Sequence, residues 1–63
     1  MNSDQRAEVL DNARYLRNVR PVAPEEIFEY VDGRPPPAVV RQVLREHAVE
    51  LGLRETDDGT FVP

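Results

Sequence analysis

The feature that most narrows the fold of this chain is a change of hydrophobic period at Gly52. From Pro37 to Leu51 the apolar residues Val40, Val43, Leu44 and Leu51, with His47 among them and Ala48 at the edge, recur at helical spacing and line one side of a 3.6-residue wheel. Ala38, Arg41, Gln42, Arg45 and Val49 fall on the opposite side, and Glu46 and Glu50 on a flank. The exposed centre of this helix is therefore basic, in a chain whose formal net charge is −4. Gly52 ends the helix, because a left-handed residue after the last turn is easiest without a Cβ. Beyond it the pattern is strand, turn and strand: Leu53-Arg54-Glu55-Thr56, Asp57-Asp58-Gly59, Thr60-Phe61-Val62. A type I turn over 56–59 with Gly59 left-handed pairs Thr56 with Thr60 and sets Leu53, Glu55 and Phe61 on one face.

The rest of the chain reads as scaffold for that unit. A first helix is expected over about 3–18, capped by Ser3 or Asp4, with Val9, Ala13 and Leu16 inward, Leu10 beside them, and Asp11, Arg14, Tyr15 and Asn18 outward. Pro21 disfavours helix in the residue before it, and Val22 is either a very short strand or an anchor. Pro24 suits the first position of a second helix, expected over about 24–32. Glu25 and Glu26 occupy its first turn, and Ile27, Phe28 and Val31 form its buried side. Arg34-Pro35-Pro36-Pro37 reads as a stiff corner rather than a ligand for a proline-reading partner. A third helix over about 37–51 and a hairpin over about 53–62 complete one domain spanning 1–63.

At 63 residues the core is thin, since a domain of this size buries only about 60% of the surface its unfolded chain exposes. There is no cysteine, hence no disulfide framework and no thiolate metal site. No apolar run approaches the roughly 20 residues that span a bilayer, so the expectation is a soluble, cytoplasmic protein. All eight basic residues are arginine and the acids number twelve. This lysine-free, acidic usage resembles that of haloarchaeal-type proteins, from extreme halophiles with GC-rich genomes; an ordinary acidic protein that happens to lack lysine is the alternative.

Little here suggests catalysis. One serine and one histidine lie on different predicted helices, without a phosphate-binding glycine loop. No enzyme activity, cofactor, metal or small-molecule ligand is expected. His47 reads as a neutral, partly buried core histidine, and Asp57-Asp58-Gly59 as turn chemistry rather than a calcium loop. Glu25 and Glu29, four apart, read as like charges on an exposed turn rather than a cation site.

Helix, short extended piece, short helix, tight connection, longer helix, hairpin: this order resembles the winged helix-turn-helix family, over roughly Glu8 to Val62. VVRQVLREHAVELGLRETDDGTFV is similar to the family's third helix with its Leu-Gly-Leu step and wing, and PEEIFEYV to its second helix. The resemblance implies a mainly α fold of three helices with a C-terminal wing. It also implies double-stranded DNA as partner, in a small transcription regulator. Ala38, Arg41, Gln42 and Arg45 would then reach base edges in the major groove, with Arg34 and Arg54 on phosphates. Two features depart from the family pattern: the proline-rich corner before the third helix, and Asp57-Asp58 at a wing tip where DNA-binding members often carry Arg or Lys. The acidic tip suits the alternative, a winged-helix protein-interaction module without DNA binding. A homodimer through the first helix is a third expectation.

Overall fold

Asn2, rather than Ser3 or Asp4, caps the first helix, α1 (Ser3–Leu16). Its side-chain oxygen accepts from the Gln5 backbone N–H at 2.8 Å, while the Gln5 side chain accepts from the Asn2 N–H at 3.2 Å. This reciprocal capping box satisfies two donors that the first turn leaves open, and Gln5 at the third helical position makes Asn2 the better start. The helix stops two residues short of the expected Asn18. Arg20 then bonds back to Leu16 through its backbone N–H.

The computed structural model describes all 63 residues. It is mainly helical with one two-stranded antiparallel hairpin, as the change of period at Gly52 requires. Pro24 opens α2 (Pro24–Ile27), which passes at once into a 3₁₀ turn over Phe28–Tyr30 instead of continuing to residue 32. The reason lies on α1. Gln5 donates to the Asp32 carbonyl at 2.9 Å and Glu8 accepts from the Asp32 N–H at 3.2 Å, so side chains from another helix hold the backbone that helical bonds would otherwise occupy. Gly33 and Arg34 follow with φ of 81° and 44°, and the prolines then lead into α3 (Pro37–Glu46) with Pro37 at its start.

The expected single helix over 37–51 is broken at His47, whose φ and ψ of −111° and 12° lie outside helical geometry. A short α4 (Ala48–Leu51) follows and ends on Gly52 at φ 68°, the left-handed stop anticipated from its position. The His47 ring sits between two elements, with Nε2 3.4 Å from an Arg6 nitrogen and Nδ1 3.1 Å from Glu50. It is thus partly buried, as expected, but outside the buried core, where it bridges polar groups at a helix junction.

Strands β1 (Arg54–Glu55) and β2 (Phe61–Val62) pair antiparallel, Arg54 with Val62 and Glu55 with Phe61. Thr56 donates to the Thr60 carbonyl at 2.8 Å, Gly59 to Thr56 at 3.0 Å, and Gly59 has φ 86°, the turn expected from the sequence. Val22 extends this hairpin: it exchanges two 2.8 Å backbone bonds with Phe61 in an antiparallel bridge. Every element feeds one core. Val9, Ala13 and Leu16 of α1, Val22, Ile27, Val31, then Val40, Val43 and Leu44 of α3, Leu51, Leu53 and Phe61 are all buried.

Candidate nucleic-acid interface

The exposed side of α3 carries Ala38, Gln42 and Arg45 at i, i+4 and i+7, so the three stand in one row along the helix. Arg41, expected beside them, is drawn toward the protein. Only a quarter of its side chain is exposed. It donates to Glu25 at 3.1 Å and to the Gly59 carbonyl at 3.2 Å, with its Nε 3.6 Å from Glu55. One guanidinium therefore ties α3 to α2 and to the hairpin turn, which Arg can do because its donors fan out in a fixed plane.

Arg45 remains half exposed and meets Glu55 in a two-point pair, Nε at 2.7 Å and Nη2 at 3.0 Å from the two carboxylate oxygens. These hydrogen bonds push the Arg45 pKa up and hold the Glu55 carboxyl below the usual carboxylate range. Glu55 was legible as a residue on the inward face of the hairpin. Its role there, as the shared counter-ion of Arg41 and Arg45, depends on helix residues fourteen and ten positions upstream. Glu25, considered with Glu29 as a cation site, instead faces Arg41.

Among the other arginines, Arg6 pairs with Glu46, Arg14 with Asp11 and Arg20 with Glu26, and Arg17 donates to the Leu51 carbonyl. Arg34 and Arg54 alone make no side-chain hydrogen bond or ion pair, and both are exposed. Arg34 lies three residues before α3. Arg54 begins β1 and, because successive strand residues face opposite sides, points away from the side on which Glu55 meets Arg45. The six expected contact residues thus divide. Ala38, Gln42 and Arg45 share one face, Arg34 and Arg54 stand apart from it, and Arg41 is a clasp.

The acidic turn beside this face has a structural cause. The Asp58 carboxylate accepts from the Thr60 N–H at 3.1 Å, from the Thr60 hydroxyl at 2.7 Å and from the Thr56 hydroxyl. These bonds, led by the one from Thr56, pull its pKa from 3.8 down to about 2. Because the folded value lies below the unfolded one, the stabilisation is complete above about pH 4 and is lost as pH falls toward 2. In a carboxyl-carbon NMR titration Asp58 is expected to titrate near pH 2, with the Thr56 and Thr60 signals moving together with it. Thr56→Val should return its midpoint toward the ordinary aspartate value. A midpoint unchanged by that substitution would mean that the turn bonds do not hold the carboxylate.

No helix is long and apolar enough to cross a membrane. No curated protein and no solved structure matches the chain. A family profile does, described as the N-terminal domain of a domain of unknown function, DUF8157. It matches residues 6–57, from α1 through β1 into the hairpin turn, and on that match the chain belongs to the DUF8157 N-terminal domain family.

Proposed function

We propose that this is a winged-helix DNA-binding domain that lays the exposed face of α3 in the major groove of a duplex. The observation that carries this reading is the row Ala38, Gln42 and Arg45, free of core contacts on a ten-residue helix. Its chemistry is that of base readout: Arg to guanine O6 and N7, Gln to adenine N6 and N7, an alanine methyl to thymine. The backbone bridge between Val22 and Phe61 supports the winged-helix assignment, since it joins the extended piece between the first two helices to the wing.

The Arg45–Glu55 pair does not stand in the way. A bidentate contact to guanine offers the Arg45 guanidinium the same two-point geometry that Glu55 gives it, so one partner can replace the other. Until that exchange the pair holds the guanidinium plane in place. Arg34 and Arg54 have no carboxylate to give up and are the phosphate contacts. With a net charge of −4 the domain gains little long-range steering toward DNA, so direct base contacts must supply more of the affinity than in a basic protein.

A salt-series titration of labelled duplex with amide chemical shifts on the protein tests this. Saturable binding that moves residues 38–45 supports it, and the slope against salt counts the phosphates engaged. An unperturbed α3 at every salt concentration, with the fold intact, would remove it. The second reading, a winged-helix protein-interaction module, is favoured by one specific observation: both helix arginines are already engaged by the protein's own carboxylates, while Tyr15 and Tyr30 are largely exposed.

A further inference from the structure

We propose that two copies of this chain associate through α1, antiparallel, about a two-fold axis that passes between residues 12 and 13. The inner side of α1, Val9, Ala13 and Leu16, is consumed by the core. Its outer side carries Ala7, Asp11, Arg14 and Tyr15, and Asn18 follows in the turn after it, all exposed. Asp11 and Arg14 form an i, i+3 ion pair at 3.3 Å with side chains 77% and 51% exposed. Tyr15 beside them is 69% exposed.

An opposite-charge pair at this spacing is complementary to itself. When a second α1 is laid antiparallel with its residues 11 and 14 across from 14 and 11, Asp11 of each copy meets Arg14 of the other. Four charges of alternating sign then form a closed ring, with the internal pairs preserved. This is the self-matching that an isologous contact requires, one patch serving both sides. The same register brings Ala7, a small side chain, to the end of the partner helix, next to the turn that carries Asn18. Both Tyr15 rings fall on one side of the seam, about 7.5 Å apart along the helix axis at 1.5 Å rise per residue.

That side also holds a cleft of about 240 Å³ lined by Asn12, Tyr15, Leu16, Arg20 and Tyr30. A second copy seated on α1 covers the tyrosine at its rim. Tyrosine is among the residues that dominate contact energy when water is excluded from them. The face used is separate from the α3 row, so the inference does not depend on DNA binding by α3, whereas a protein partner anchored on Tyr15 would compete with the second copy.

The ring makes the test self-controlling. Sedimentation equilibrium over a concentration series should show wild-type protein passing from monomer to dimer. Asp11→Arg alone, or Arg14→Asp alone, sets like charges against each other at both ends of the dyad and should weaken association at least about tenfold. The double variant Asp11→Arg/Arg14→Asp regenerates the alternating ring and should associate as wild type does. An equimolar mixture of the two single variants should form a mixed dimer. All these positions are exposed, and circular-dichroism melting of each variant verifies that the fold is retained. Wild-type protein that stays monomeric to millimolar concentration, or single variants that associate as strongly as wild type, would overturn the proposal.

Discussion

Phe61→Ala is expected to remove a large part of the stability of this domain, lowering Tm by at least about 12 °C or leaving no cooperative transition at room temperature. Phe61 is among the largest fully buried side chains, at 1% exposure, and it sits where three segments meet. Its backbone exchanges hydrogen bonds with Val22 on one side and stands opposite Glu55 on the other, while its ring joins the core shared by α1, α2 and α3. Truncating a buried phenylalanine costs about 3–5 kcal/mol. Stability of about 0.05–0.15 kcal/mol per residue gives a chain of 63 residues only about 3–9 kcal/mol in all. At about 4–8 °C per kcal/mol in a domain of this size, even the smallest loss is large. Val62→Ala, one residue further and partly exposed, is the control and should move Tm by only a few degrees. Thermal unfolding followed by circular dichroism measures both. Equal, small shifts would mean that the hairpin is an appendage and not the closure of the core.

The elements that could be read in the chain are those whose signals are local. The stripe Val40, Val43, Leu44 and Leu51 is buried as its spacing demands, and Gly52 and Gly59 take the left-handed conformations that their positions call for. Val22 does pair, as a single bridged residue. The departures come from contacts between distant residues. α2 is short because Gln5 and Glu8, on another helix, hold Asp32; no pattern within residues 24–32 announces that. The break at His47 occurs without proline or glycine, in a residue whose ring meets Arg6 and Glu50. The cap at Asn2 is different, since Asn followed three residues later by Gln is a capping-box signature within the chain itself. For the candidate site, helical spacing placed Ala38, Gln42 and Arg45 together correctly. It could not show that Arg41 is claimed by Glu25 and Gly59, which lie on two other elements.

On the DNA reading, the double substitution Gln42→Ala/Arg45→Ala should weaken duplex binding by about thirty-fold or more, because that reading assigns to these two side chains base contacts of about 1–3 kcal/mol each. Both side chains are exposed, so melting should change little, apart from the loss of the Arg45–Glu55 pair. Glu55→Gln is the complementary change. It removes the carboxylate that occupies Arg45 and stands near Arg41, and with it a negative charge that repels phosphate. On the DNA reading Glu55→Gln binds duplex more tightly while melting slightly lower, because the pairs from both arginines to the hairpin are weakened. If the same pairs serve only to fasten the hairpin to α3, Glu55→Gln lowers Tm and leaves DNA affinity where it was, and the double substitution leaves it there too. Anisotropy of a labelled duplex at one fixed salt concentration, set beside the melting curve of each variant, separates these outcomes. Affinity and stability moving in opposite directions on Glu55→Gln is the result expected if Arg45 exchanges its carboxylate for a base, and loss of that affinity in the double substitution separates this from a general gain in charge.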